Sequence, residues 1–508
     1  MLVQAARLPR GWLVVTGVIL VSLGVGFVTA PAWAGYISGG VWVILYLLPL
    51  VGIARLNRLV SQERYRPARK IANLVKWLHP ADGYVEYPHL LKGLELGQQG
   101  RMDEATQLFN RYQTNSTTTG RMATVMFYRM NAQWEELARW VEDCVPEKIL
   151  FQEMGLAIAY LRSLGELGNL NGLLQGIERF EQKAGRSNNP LLLNTVRLYG
   201  LAFCGQVEAV KRLFDGVLSI HPKPIHQFWI ATAELQTGRE GIAQEMFAAL
   251  RQTGDRSLQQ AIDWRLAAPR VDPLTVLTEH SRQVLIDLKT AITQESRYSG
   301  WMALAAKKSY ATYGLIGINL AVFGLSTLLG GNEDLYILYR LGALVPEAVA
   351  QGEWWRSLTA IFLHAGALHL AANMLGLYVF GALVESALGY RKFLVCYFFC
   401  GVGSMLVVAA IALLTQAPPQ ITVGASGAVL GIVGAEAAIQ LKGWRLERAK
   451  IARDRLKLIS LVVVLQLISD LLTPQVSLIG HLSGVILGFL SGLVLFKTHP
   501  LPKPSRFD

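Results

Sequence analysis

The sequence predicts an all-α polytopic membrane protein with a soluble α-helical domain set between two groups of membrane segments. Three observations carry this. Apolar runs of spanning length occur at residues 11–30, 36–54, 312–330, 361–384, 393–415, 422–441, 456–473 and 476–496, each close to the twenty or so residues that cross a hydrocarbon core. Lys and Arg crowd one side of the resulting hairpins. The stretch between the second and third runs is charged and amphipathic, without strand-like alternation. With 52% of the 508 residues apolar, the chain is too long for one domain and too apolar to be wholly soluble.

Two apolar stretches form an anchor over residues 1–56. Arg7 and Arg10 precede the first, and Ala32-Trp33-Ala34 resembles a signal-peptidase site. Retention is favoured over cleavage, because a second apolar stretch follows almost at once. That stretch ends on Arg55, Arg58, Arg64, Arg66, Arg69 and Lys70, which predict a cytoplasmic end.

Residues 57–305 form the expected soluble domain. Short turn signatures recur from Gly100, Ala132, Gly168, Gly205 and Gly238, at separations of 32, 36, 37 and 33 residues. This period suits paired helices with a tight turn and resembles degenerate tetratricopeptide repeats. The alternative is a generic helical bundle whose turns use glycine. A repeat array would offer a groove for a protein or peptide partner.

The remaining six segments fill residues 306–500, followed by a tail at 501–508. Alternation from a cytoplasmic soluble domain puts residues 385–392, 442–455 and the tail inside. The charges agree: Arg391 and Lys392; Lys442, Arg445, Arg448, Lys450, Arg453, Arg455 and Lys457; Lys497, Lys503 and Arg506. The net charge of +12 therefore reads as topology. No basic stripe with interleaved aromatics accompanies it, so no nucleic-acid partner is expected. Cys144, Cys204, Cys396 and Cys400 show no metal spacing, and Cys396 and Cys400, one turn apart on a membrane helix, read as packing residues. No metal or cofactor is required.

Chemistry is expected in this second block. Gly424-Ala425-Ser426-Gly427 puts a serine between small residues at membrane depth, where a substrate backbone can approach the hydroxyl. His481 stands alone in another apolar run, and imidazole is the usual acceptor of a serine proton. His369 and Asn373 are four residues apart and share one helix face; with the amide of Ser426 they are candidate donors to a developing oxyanion. Gly427 and Gly431 on the serine helix, and Gly480, Gly484 and Gly488 on the histidine helix, recur at the four-residue spacing that lets membrane helices approach closely. Residues 332–356 are too irregular to span and predict an outer interfacial loop with short amphipathic helices, Trp354 and Trp355 among them.

These motifs resemble the rhomboid proteases over residues 306–500: Trp355-Arg356 in the first outer loop, His364, His369 and Asn373 in an HxxxxHxxxN pattern, Glu385 after the second helix, Gly424-Ala425-Ser426-Gly427, and His481, Gly484 and Gly488 in an HxxxGxxxG pattern. The resemblance implies a six-helix bundle and an endopeptidase acting on transmembrane proteins by a two-member dyad, with Ser426 as nucleophile and His481 as general base. It also implies oxyanion stabilisation by His369 and Asn373, and support by Trp355, Arg356, His364, Glu385, Gly424, Gly427, Gly484 and Gly488. Leu430 stands where some members place an aromatic against the histidine, which implies tuned activity. Glu436 is expected to stay neutral or pair with a polar neighbour. Asp470, before Pro474, is expected at the lipid interface, and neither acid is expected in catalysis. The rival readings are a non-proteolytic rhomboid-like binding factor, disfavoured because both dyad residues are present, and a membrane-anchored repeat scaffold. A bacterial plasma membrane, or an organellar one derived from it, suits the topology, with both termini inside and the site opening outward.

Overall fold

The computed structural model describes residues 10–29, 34–79, 84–114, 116–184, 189–253, 255–268, 270–298, 309–418, 420–472 and 477–497. Arg7, Ala32, Trp33, Pro474 and the tail beyond Lys497 lie outside them. Among the described residues the chain is helices and turns, with one isolated antiparallel bridge between Leu344 and Thr422 and no strand. It divides into two compact units, residues 1–289 and 290–506, the division falling inside the helix Glu279–Tyr298.

Among the described residues, six helices are long and apolar enough to cross a membrane: Gly11–Thr29, Ser38–Ser61, Tyr310–Leu328, Ala367–Leu388, Tyr390–Thr415 and Leu478–Leu495. The two other expected spans are helices of similar length, Ser426–Glu447 and Lys450–Leu472. They are more polar because Glu436, Gln440 and Lys442 interrupt one, and Arg455, Lys457 and Asp470 the other. The chain is an all-α polytopic membrane protein.

The first unit holds the two N-terminal spans and five helix pairs: Tyr87–Gln98 with Met102–Asn110, Thr118–Met130 with Trp134–Cys144, Met154–Glu166 with Leu170–Ala184, Pro190–Phe203 with Val207–Asp215, and Lys223–Gln236 with Glu240–Arg251. One turn joins each pair. Gly100, Ala132, Gly168, Gly205 and Gly238 all lie at positive φ, between 52° and 79°. The next residue's N–H reaches back five positions, as in Arg101 N to Leu96 O (3.0 Å), Gln133 N to Tyr128 O (2.9 Å) and Asn169 N to Leu164 O (2.9 Å). This closes the helix C-terminus in the Schellman manner and starts the partner helix two residues after the left-handed position. Between pairs, Arg265 lies buried beside Glu166, donates to Thr232 Oγ1 (2.8 Å), and stacks on Phe203, Phe228 and Trp229.

In the second unit six long helices form the membrane bundle: α1 (Tyr310–Leu328), α2 (Ala367–Leu388), α3 (Tyr390–Thr415), α4 (Ser426–Glu447), α5 (Lys450–Leu472) and α6 (Leu478–Leu495). The connections expected at 385–392 and 442–455 shrink almost to nothing. Gly389 alone separates α2 from α3. Arg448, at φ 52°, and Ala449 alone separate α4 from α5. The charged residues stay helical because they find partners: Glu447 accepts from Arg297 (3.1 Å). Lys442 Nζ donates to the carbonyls of Leu493 and Phe496 at the end of α6 (2.6 and 2.8 Å). A cation on these orphan carbonyls also meets the negative end of the helix dipole.

The contact that organises the bundle is between α4 and α6. A Cβ added at Gly484 would collide with the carbonyl of Gly427, one at Gly488 with that of Gly431, and one at Gly492 with that of Ala435 (2.6 Å). From the other side, a Cβ at Gly434 would meet the carbonyl of Val485. The two backbones touch over three turns, which only a small-residue seam permits.

Ala132 is the one turn position of the five without glycine, and its Cβ pays for a left-handed conformation. Ala132→Gly is expected to raise the stability of the full chain by about 0.5–1 kcal/mol, the left-handed penalty outweighing the extra unfolded-state entropy of glycine. Thermal unfolding in detergent, followed by tryptophan fluorescence, checks this.

Candidate active site

Ser426 is the first residue of α4, and the loop that delivers it is pinned at three points. Leu344 and Thr422 exchange N–H···O bonds of 3.0 Å in both directions. The N–H of Gly424 donates to the carbonyl of Ala360 (2.9 Å), and the N–H of Ala425 to Nε2 of His364 (3.4 Å). His364 thereby acts as a buried acceptor that shapes the entry to the serine. Gly424 has φ +125°, and a Cβ there would sit 2.8 Å from the His369 ring. Two requirements therefore converge on glycine: the backbone angle and the close passage of an imidazole.

His369 and Asn373 lie on the first turns of α2, against this loop. The His364 and His369 rings meet edge to face at 5.1 Å. Asn373 is buried and its Nδ2 donates to the carbonyl of His369 (3.2 Å). The amide of Ser426 belongs to the first turn of α4, where N–H groups have no intrahelical acceptor and the helix dipole is positive. Three donors of different kinds thus surround one end of α4.

His481 enters from α6, whose start is capped by Ser477 Oγ on the N–H of Gly480 (3.1 Å). Ser426 is half-buried, and its hydroxyl has no hydrogen bond to His481 or to any other described residue. The serine and histidine helices are brought into contact, while the proton-transfer bond is not formed in this state.

Asp470, expected at the lipid interface, is enclosed by the helices around it, 4% exposed, with Oδ2 2.7 Å from Nδ1 of His481 and Oδ1 accepting from Nε2 of Gln466 (2.8 Å). The end of α5 and the start of α6 lie together, so an acid in the last turn of one helix and a residue in the first turn of the next become neighbours. The eleven-residue separation between them was the available signal. Glu436, deeper on α4, is buried and paired with Arg455 (2.6 Å), well away from the serine in sequence and depth. Leu430 packs with Val433, Ile459 and Val485.

The supporting residues each satisfy something buried. Arg356 Nη1 donates to the carbonyls of Tyr339 (2.7 Å) and Ala343 (3.1 Å), while Nε is bound to Glu353 and the guanidinium lies over the rings of Tyr339 and Trp355. It ties the short helix Leu335–Arg340 and the turn after it to the short helix Arg356–Thr359 in the loop between α1 and α2. Glu385, at the opposite end of α2, accepts from the N–H groups of Ala311 (3.0 Å) and Thr312 (2.8 Å) and from Thr312 Oγ1 (2.7 Å). It caps the start of α1 with a carboxylate. Cys396 and Cys400 are buried, free and 4.0 Å apart, on the face of α3 that packs against Gly431.

A half-buried serine at a glycine-lined helix start thus lies among His364, His369 and Asn373 in the helix bundle. Residues 351–498 match the model of the Rhomboid domain. The chain is 31% identical over 158 residues to the putative rhomboid protease YdcA of Bacillus subtilis, covering 72% of that protein and 31% of this one. It is 31% identical over 196 residues to rhomboid protease GluP of the same organism, covering 36% of that protein and 39% of this chain. It is 35% identical over 158 residues to RHOMBOID-like protein 5 of Arabidopsis thaliana, covering 49% of it and 31% of this chain. The chain belongs to the rhomboid family. Its matches span only about a third to a half of GluP and RHOMBOID-like protein 5.

Gly424→Ala is expected to push His369 away and strain the loop, costing about 1–3 kcal/mol. Labelling of Ser426 by a serine-directed phosphonate should fall at least tenfold, whereas Ala365→Gly, at an exposed position nearby, should label like the native chain.

Proposed function

We propose that this protein is an intramembrane serine endopeptidase that cuts transmembrane or juxtamembrane segments of other membrane proteins. The observation that carries the reading is the glycine seam between α4 and α6, which holds the helix that starts at Ser426 against the helix that bears His481. Ser426 Oγ attacks the peptide carbonyl, and its proton passes to Nε2 of His481. The tetrahedral oxyanion accepts hydrogen bonds from the Ser426 amide, His369 and Asn373. On collapse the C–N bond breaks, His481 returns the proton to the leaving amine, and water then cleaves the acyl-enzyme by the same route. His364, Arg356, Trp355, Glu385, Gly424, Gly427, Gly484 and Gly488 hold the loop and seam and do no chemistry.

A helical substrate hides its carbonyls, so it must unwind where it is cut, and small or helix-breaking residues near the site favour cleavage. The Lys and Arg distribution supports both termini and the first unit's helix pairs on the cytoplasmic side, with the site opening to the other face. A bacterial plasma membrane or an organellar membrane derived from it fits. The repeated Schellman turns support a tetratricopeptide-like array over residues 57–305 that recruits a protein or peptide partner.

The test is cleavage of a tagged single-span protein by the full chain in liposomes. Ser426→Ala and His481→Ala should each abolish detectable cleavage with folding intact, and His369→Ala should lower kcat about 10²-fold. If the native chain cuts none of several substrates and Ser426 takes no phosphonate, the protein is a non-proteolytic binding factor or anchored scaffold.

A further inference from the structure

The buried acid on α5 has no role in a two-member dyad, yet its geometry is specific. Asp470 Oδ2 stands 2.7 Å from Nδ1 of His481, and Oδ1 receives the Gln466 amide at 2.8 Å. Both members are enclosed, Asp470 at 4% and His481 at 7% exposure. Asp470 is the one carboxylate within hydrogen-bond reach of this ring among the described residues.

We propose that Asp470 is a positioning residue for His481, converting the serine–histidine pair into a three-membered relay assembled from α4, α6 and α5. The inference deepens the protease reading and rests on it for its catalytic consequence. An ionised carboxylate accepts hydrogen bonds and donates none, so the ring nitrogen facing it carries the proton. Nδ1–H on Asp470 leaves the Nε2 lone pair free, and that lone pair takes the Ser426 proton when the Oγ–C bond forms. The ring then holds protons on both nitrogens and a positive charge. Asp470 offsets this charge in a medium where little else does, and Nε2 gives its proton to the departing amine as the C–N bond breaks. The Asp470 carboxylate itself neither gains nor loses a proton. Gln466 adds direction: by donating to Oδ1 it keeps the carboxylate turned with Oδ2 toward the ring.

This arrangement makes a sharp forecast for Asp470→Asn. The asparagine carbonyl takes over the Gln466 bond and the NH₂ turns to Nδ1 of His481. The ring proton is thereby forced to Nε2, where it blocks the base. In liposomes, the full-length Asp470→Asn chain should lose about 10²–10⁴-fold in kcat with KM within about threefold of native, the cost expected when a catalytic histidine is held in the wrong tautomer. Asp470→Glu should recover at least tenfold of that loss. Nitrogen NMR of chains carrying ¹⁵N-histidine, in a Ser426→Ala background and with His481→Gln to assign the signal, should show Nδ1–H in the parent and Nε2–H in Asp470→Asn.

Native-like kcat in Asp470→Asn, or an Nε2–H tautomer in the parent, overturns the proposal. The nitrogen signals need no turnover. If the native chain proves not to cleave, they still decide whether Asp470 sets the His481 tautomer, so failure of the protease reading and failure of this inference are told apart. Should Asp470→Asn melt well below the parent, Asp470→Glu and the parent tautomer carry the decision.

Discussion

Everything at the site depends on two helices touching through glycine. In lipid there is no hydrophobic gain from bringing apolar helices together, so contact has to come from close packing. Here Gly427, Gly431 and Gly434 on α4 lie along Gly484, Gly488 and Gly492 on α6; a Cβ at Gly434, Gly484, Gly488 or Gly492 would collide with a carbonyl of the other helix, and one at Gly427 or Gly431 with Ser404 or Cys400 of α3. Ser426 lies one residue above this seam and His481 three residues before its first glycine on α6. Their relative position is set by backbone against backbone, which no rotamer change can relax. Loop pinning by the Leu344–Thr422 bridge and by His364 then fixes the last free variable, the direction in which α4 begins.

A second constraint is that polar groups left unpaired in a bundle in lipid are costly. Glu385 closes the first N–H groups of α1, and Lys442 takes carbonyls at the end of α6. Arg356 collects carbonyls of the loop between α1 and α2, and Glu436 takes Arg455. Asp470 and His481 follow the same rule, the carboxylate taking Nδ1 of the ring. Under the proposed mechanism, a pairing required for solvation in this environment also orients the base.

Much of this was legible in the residues. The serine and histidine announce themselves because a polar group in an apolar run is costly, and the glycine spacing of four is a direct image of the seam. The turn positions at 100, 132, 168, 205 and 238 were readable too, since four use glycine at positive φ. What local pattern could not show was pairing between helices. Asp470 reads as an interfacial acid until α5 folds back beside α6. The stretch 442–455 reads as a charged loop until Glu447 and Lys442 find Arg297 and the end of α6, after which the helices run on to within two residues of each other.

The unbonded hydroxyl of Ser426 and the Asn373 amide held within its own helix leave the contacts of the proposed dyad and oxyanion site still to be made. Catalytic hydrogen bonds in enzymes without substrate are often long or absent and tighten in the reacting complex. In the proposed reaction Asn373 turns from the carbonyl of His369 four residues back, where one of its two Nδ2 hydrogens makes a weak bond of 3.2 Å, to an oxyanion whose charge makes the stronger bond. The amide of Ser426 needs no such exchange, since the first turn of α4 leaves it without an acceptor. One donor is therefore preorganised by the fold and the others are recruited by the developing charge. Stabilisation of this second kind is greater in the transition state than in the ground state, which is the condition for it to accelerate the reaction.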